Sequence, residues 1–585
     1  MHERNSNTLL YRFFPFIRWV KDYRWSFFQK DLISGITVAI VLIPQSMAYA
    51  MLAGLPPVYG LYAAAVTPFI ASLWGSLRQL ATGPIAIMSL LVLTSLAPVA
   101  EPGTADFIEL AFLLSFMVGV IYLLIGIFRM GMIMSFISHS AVKGFTAAAS
   151  LIIISTQLPG LLGISVSRHE YIFSMIIDIL KNLPGFHPST FSIGLLSVVI
   201  IFGIKKYIPN LPGGLLAILA ASLIVWFIEL HEKGVAVIGF TPAGLPGFKA
   251  PDFDFNTVSN LVGPAIVIAL VSFAETYSVG KAISSETRQK LDVDQEFIGQ
   301  GLANIIGSFF QSLPVSGSFS RTAINYSTGA RTGVSSIISS MAVVTALLFL
   351  TPLLAYIPKA ALSALVISAV LMLFHPRQVF RLWKMNKHDG IVAITVFILS
   401  LLTKPDYALL IGVVMSLMFF LWKTMHPRIV KITKDPEHNM FVNADLAGKP
   451  GCPQILILRS DNSIYFANAE YTVEHILERL DSTDSPLKFL LLDLQSMAFI
   501  DITGVDELRA LKEEIKNRGI NLAVMYVHQP VMKVFISSGF HDELSGDFIY
   551  DERGNAISSI FRQLDHKFCR AECPYKLFNE CSTVK

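Results

Sequence analysis

The sequence predicts a polytopic α-helical membrane protein with a soluble α/β domain at its C-terminal end. Three observations predict it. Hydrophobic residues make up 53% of the 585 residues, and the mean hydropathy is +0.59. Charge is split along the chain: 46 of the first 425 residues are Asp, Glu, Lys or Arg, against 41 of the last 160. Apolar runs recur between short polar breaks from about residue 32 to residue 424. So apolar a chain is neither disordered nor an ordinary soluble enzyme. Four cysteines exclude a disulfide-built scaffold. The net charge of +3 averages a basic front and an acidic tail, and gives no reason to expect nucleic acid as a partner.

Residues 1–30 carry six Arg and Lys among aromatics that include Tyr11, Phe13, Phe14, Trp19 and Trp25. They read as a cytoplasmic basic segment lying along the membrane, not as a secretory signal. Residues 31–425 form the membrane domain. Apolar runs lie near 32–53, 58–76, 107–128, 132–156, 190–205, 212–230, 259–280, 334–356, 358–374, 389–403 and 405–424. Each approaches the length that crosses about 30 Å of hydrocarbon at about 1.5 Å per residue. Three more segments, 84–98, 293–311 and 318–330, read as shorter or more polar helices, which makes fourteen in all. An even count returns the chain to its starting side, so both termini are expected in the cytoplasm.

The short segments are the informative ones. Ala81-Thr82-Gly83-Pro84-Ile85 precedes one, and Pro314-Val315-Ser316-Gly317-Ser318-Phe319-Ser320-Arg321 opens the other. Short spans interrupted by Gly or Pro at matching places in two halves mark a transporter's binding site. Third and tenth of fourteen, they fit two repeats of seven segments, and an odd number per repeat requires opposite orientations.

Residues 426–566 read as the soluble domain. Ile455–Leu458, Phe489–Leu494 and Ile520–Val527 are strand-like. Val505, Leu508, Leu511 and Ile515 form an apolar stripe at helical spacing, and Gly519 sits where a helix ends left-handed. Residues 567–585 remain as a tail.

Two stretches carry a resemblance. Ile43-Pro44-Gln45-Ser46-Met47-Ala48-Tyr49-Ala50, with Leu52-Ala53-Gly54-Leu55-Pro56-Pro57 after it, is one. Gly317-Ser318-Phe319-Ser320-Arg321-Thr322-Ala323-Ile324-Asn325-Tyr326 is the other. Both resemble signatures of the SulP family of sulfate permeases and anion exchangers, most nearly its plant and bacterial sulfate permeases. The tail domain resembles that family's STAS domain. The resemblance implies inverted seven-segment repeats arranged as core and gate domains, an anion site between the third and tenth spans, and a homodimer.

Residue chemistry agrees. Two half-helices facing each other aim unpaired amides and about half a positive charge each at one spot. Thr82 reads as the cap of the first half-helix and Pro84 as part of its first turn, leaving the Ile85 and Ala86 amides for the anion. Ser316, Ser318 and Ser320 offer hydroxyls beside Phe319. Arg321 offers a guanidinium that can pair bidentately with an oxyanion; an interfacial anchor or a structural ion pair is its alternative. Gln45 and Tyr49, one turn apart, are placed at the pocket by the resemblance, as amide donor and aromatic wall. Glu275 is an ionisable residue in the otherwise apolar run 266–278, a functional position by default. The resemblance implies a proton carrier there, with a Glu275–Arg321 ion pair as the alternative; Thr276 and Ser278 keep a sodium site open.

If the substrate is sulfate, a potential of 100 mV opposes a dianion by roughly 4.6 kcal/mol, so uptake needs cotransported cations. The expected activity is therefore proton-coupled sulfate uptake by alternating access in the inner (plasma) membrane, with no cofactor and no enzymatic activity. A bicarbonate or dicarboxylate carrier or exchanger is the alternative on the same fold. An anion-sensing scaffold signalling through the STAS domain to a cytosolic partner is the alternative of another class. Glu286–Asp294 and Glu296 read as a connecting loop. Asp501-Ile502-Thr503-Gly504 resembles a phosphorylated STAS loop; Thr503 followed by Asp506 also reads as a helix cap. His566, Cys569, Cys573 and Cys581 are ligand types that suit zinc. Their spacings match no established motif, so free thiols on a mobile tail are expected.

Overall fold

A computed structural model describes residues 14–583 except 132–137, 168, 170, 209–210, 240–241, 372–373, 375, 404, 436, 484 and 545–547. The chain divides into two compact units, Met1–Leu417 and Met418–Lys585. Tyr11 and Phe13 lie outside the described residues. Of the expected membrane-surface segment, a short helix Ile17–Val20 is described, and Trp19 on it is buried and packs on Phe16, so this part is docked onto the protein.

Each of the fourteen expected segments carries a helix. Eight described helices are long and apolar enough to cross a membrane, from Trp25–Leu52 to Tyr407–Met425; Ala86–Leu96, Gly213–Phe227 and Lys359–Leu371 are shorter apolar ones. Two further helices were not expected, Ile172–Asn182 and Pro376–Met385.

Small residues let these helices approach closely. At Gly60 an added Cβ would sit 1.9 Å from the Ser46 carbonyl oxygen, where Pro57–Trp74 crosses Trp25–Leu52. Gly119 and Gly126 likewise admit Val293–Phe309 against Ala105–Ile127. The two halves of the unit meet in a two-stranded antiparallel ribbon, β1 (Thr82–Gly83) with β2 (Ser316–Gly317), pairing Thr82 with Gly317 and Gly83 with Ser316. Helices Ala86–Leu96 and Phe319–Ser327 start just beyond the two strands.

The second unit is a six-stranded sheet of β3 (Ile429–Asp435), β4 (Met440–Asn443), β5 (Ile455–Ser460), β6 (Phe489–Asp493), β7 (Asn521–Met525) and β8 (Ile549–Tyr550), ordered β4-β3-β5-β6-β7-β8. Strands β5 to β8 run parallel, and β3 is antiparallel to both its neighbours. Helix Ile502–Asn517 buries Val505, Leu508, Leu511 and Ile515 on one face of the sheet, and Gly519 follows at φ 76°. The described residues 567–583 do not form a free tail: Phe578 and Cys581 pack with Ile457, Leu491 and Phe561 on the opposite face.

The Gly60 crossing gives a stability test. Gly60→Ala should cost more than about 3 kcal/mol, above the usual range for overpacking. Gly263→Ala, where a Cβ meets nothing within 4 Å, should be neutral. Thermal unfolding in detergent measures both.

Candidate functional site

The site is built where β1 and β2 deliver the two half-helices. One helix, Val293–Phe309, holds both strands with polar residues spaced four apart on one face. Glu296 accepts hydrogen bonds from the Ser76 amide (2.8 Å), the Ser76 hydroxyl (3.0 Å) and the Leu77 amide (3.3 Å). Gln300 donates to the Thr82 hydroxyl at 2.8 Å. Asn304 accepts from the Val315 amide at 2.9 Å and donates to the Val315 carbonyl at 3.1 Å. Glu296 is therefore no loop residue. It is buried, and it fixes the chain entering the first half-helix. Polar residues at i, i+4 and i+8 in an apolar segment were the available signal.

A second set of bonds ties the halves to each other. The Ser318 amide donates to the Ala81 carbonyl at 2.9 Å, and the Ala81 amide donates to the Thr322 hydroxyl at 2.9 Å. Asn325 donates to the Gln79 carbonyl at 2.9 Å. From the long helix Phe255–Thr287, Thr276 accepts from the Gly317 amide at 3.1 Å and shares a hydrogen bond with Ser316 at 2.8 Å. Ser316 also donates to the Ser272 carbonyl at 2.9 Å. Its hydroxyl is thus committed to the scaffold and not offered to a solute. Thr276 is held in the same way, and Ser278 donates to its own helix at Ala274.

The first half-helix differs in detail from expectation. Thr82 does not cap it; its hydroxyl faces Gln300. Pro84 precedes the helix instead of occupying its first turn. The N-cap is Ile85, extended at φ −136°, and it supplies no side-chain acceptor. A leucine-like side chain cannot cap, so the amides at the start of Ala86–Leu96 rely on another acceptor. In the second half-helix Ser318 is the N-cap and accepts from the Arg321 amide. Ser318 and Ser320 hydroxyls lie 3.4 Å apart. Phe319 and Ser320 face open space, Phe319 with 44% of its surface exposed.

Arg321 lies in the first turn, fully buried. Its Nη1 donates to the Gln45 side-chain oxygen at 3.4 Å. Among the described residues its Nε and Nη2 have no hydrogen-bond partner. Gln45 therefore turns its oxygen to the guanidinium, and its amide nitrogen is the end left for another acceptor. Tyr49, also buried, and Glu275 lie within range of the Arg321 charge. No ion pair joins Glu275 to Arg321 among the described residues, and the buried Glu275 Oε2 has no hydrogen-bond partner. Gly83, at φ +152°, brings backbone against the guanidinium: a Cβ there would sit 3.2 Å from Nη2. The structure thus brings Gln45, Tyr49, Gly83, Ser318 and Arg321 together, with Ile85 and Ala86 across the ribbon. A separate cavity of about 990 Å³ lies toward the far end of the first half-helix, lined by Leu93, Thr94, Ser155 and Gln157, and does not include Arg321.

In the second unit Asp501, not Thr503, is the N-cap, accepting from the Gly504 amide at 2.9 Å. Asp506 pairs with Arg509, so the Thr503–Asp506 capping box is not formed. Thr503 is exposed in the helix's first turn.

Half-helices that meet in a ribbon on a polytopic helical scaffold are the build of a membrane carrier, and here they flank a buried guanidinium with no ion partner among the described residues. The chain belongs to the sulfate permease family: the family model matches residues 28–396, and a STAS domain model matches residues 443–556. It is 34% identical to sulfate transporter 4.1, chloroplastic, of Arabidopsis thaliana, over 93% of this chain and 82% of that protein. It is 30% identical to high affinity sulfate transporter 2 of Stylosanthes hamata, over 93% of this chain and 86% of the relative. The fold is similar to that of SLC26A9, with TM-score 0.86 and 22% identity over 97% of this chain and 95% of the other. It is also similar to the transmembrane domain of the cyanobacterial bicarbonate transporter BicA, with TM-score 0.59 and 22% identity over 67% of this chain and 98% of that domain.

Gly83 tests the geometry. Gly83→Ala strains the backbone and crowds Nη2, so anion binding should weaken at least about tenfold, equivalent to about 1.4 kcal/mol. Equilibrium binding of labelled sulfate to detergent-purified protein reads it, with the melting temperature as a check on folding.

Proposed function

We propose that this chain takes up sulfate across a membrane together with protons. One observation carries the reading: Arg321 is wholly buried, yet two of its nitrogens lack acceptors. A guanidinium stranded in an apolar interior costs several kcal/mol, and a membrane-embedded one is kept for function. A tetrahedral oxyanion would satisfy Nε and Nη2 together, with the Ser318 and Ser320 hydroxyls and the opposing helix amides closing around it. The names of the plant relatives support sulfate as that oxyanion.

Glu275 supplies the coupling. Its carboxyl sits near Arg321 without pairing to it, and a proton on Oε2 would remove a negative charge from beside the arriving dianion. Anion and proton then favour each other's binding, the reciprocity coupled transport requires. Two protons would make sulfate uptake electroneutral. The substrate-bearing half-helices move as a unit because Glu296, Gln300 and Asn304 clasp both entry strands. On this reading both termini are cytoplasmic, the protein resides in the inner or plasma membrane, and it works as a homodimer. The STAS domain receives cytosolic partners, with the exposed Thr503 as a point of phosphorylation.

Proteoliposomes loaded at defined pH test this with radiolabelled sulfate. Uptake should rise with an inward proton gradient and be indifferent to sodium. Arg321→Gln should lower uptake at least about a hundredfold, the loss of about 2.7 kcal/mol of charge-assisted hydrogen bonding. Glu275→Gln should retain sulfate binding and exchange but lose its response to the proton gradient. Gradient-insensitive uptake by the unmodified protein would refute the coupling, and faster flux of bicarbonate than sulfate would refute the substrate.

A further inference from the structure

All four cysteines of the chain converge on one small cavity in the second unit. Cys452 stands just before β5; Cys569 lies in the short helix His566–Ala571; Cys573 and Cys581 follow it. Together with Phe561, Leu564 and Phe578 they line a cavity of about 10 Å³. Four thiols scattered over 130 positions meet here, in a soluble domain whose remaining core is ordinary apolar packing. All four are free and half-buried.

The Gln454 side chain donates to the Cys569 sulfur at 3.1 Å, and the same side chain is fixed by the Asp565 backbone. A side-chain N–H donated to a cysteine sulfur orients it as a ligand. Cys573 donates to the Tyr575 carbonyl at 3.0 Å.

We propose that Cys452, Cys569, Cys573 and Cys581 form a closed four-thiolate site for one zinc ion, which fastens the C-terminal segment to the sheet. His566, a ligand type noted in the sequence, is not part of it: its ring packs edge-on against Phe561, and it does not line the cavity. Cys452 takes its place. Four sulfurs and no open position define a structural site, not a catalytic one. The cavity has room for a single ion or water and not for a multi-iron cluster. Among the described residues no three of these sulfurs lie within 4.8 Å of one another, so the proposal requires them to close around the ion as it binds.

The test uses the full-length protein purified from zinc-supplemented cells without added chelator. Elemental analysis should find about one zinc per chain, and less than about a tenth of that in Cys573→Ser and in Cys452→Ser. Cobalt substitution should give the thiolate charge-transfer and d–d absorption of a tetrahedral site. In unmodified protein the thiols should resist alkylation until a chelator removes the ion, which keeps the test valid if the variants misfold. Metal-free protein with four promptly reactive thiols, bound iron in place of zinc, or a disulfide found by mass spectrometry would each overturn the proposal.

Discussion

Everything in the membrane unit depends on how one positive charge is kept in an apolar interior without a permanent partner. Arg321 could have been neutralised by Glu275, which is near enough to feel it, but the two do not join. It keeps one bond, to Gln45, and leaves two nitrogens unsatisfied. Such a residue is tolerated only if the surrounding structure is stiff enough to prevent its escape and if a ligand completes it. Stiffness comes from the ribbon of β1 and β2, bound on one side by Gln300 and Asn304 and on the other by Thr276. Completion is the role proposed for the anion.

This arrangement separates scaffold from site within a few residues. Ser316 and Thr82 spend their hydroxyls on the protein, while Ser318 and Ser320 stand at the opening of the second half-helix. Gly83 extends the same logic to the backbone, where only a residue without Cβ lets the ribbon lie against the guanidinium. Two helix N-termini add partial positive charge without adding ions, which is the electrostatic setting the proposed anion site needs.

Much of this was legible in the sequence because membrane helices and half-helices announce themselves by composition. The apolar runs, the Gly-Pro break at 83–84 and the polar start of 316–321 located the two half-helices, and Gln45 and Arg321 do meet beside them. What the sequence concealed are pairings between distant segments. Thr82 looks like a cap from its neighbours alone; its actual partner, Gln300, is 218 residues away. Glu296 follows a charged stretch and so read as loop, although it is buried beneath the Ser76 and Leu77 amides. In the second unit the strands and the helix Ile502–Asn517 were plain from periodicity. The packing of the last residues was not, because Phe578 and Cys581 bury against strands whose apolar pattern says nothing of what will cover them.

The central claim is a location: the anion sits at Arg321, between the two half-helices. Anomalous scattering from protein soaked with selenate, a heavier analogue of sulfate, measures that directly. The account predicts one dominant selenium peak within hydrogen-bond reach of the Arg321 Nη2 and the Ser318 and Ser320 hydroxyls. A dominant peak in the cavity beside Leu93 and Gln157, with none at the guanidinium, would contradict it.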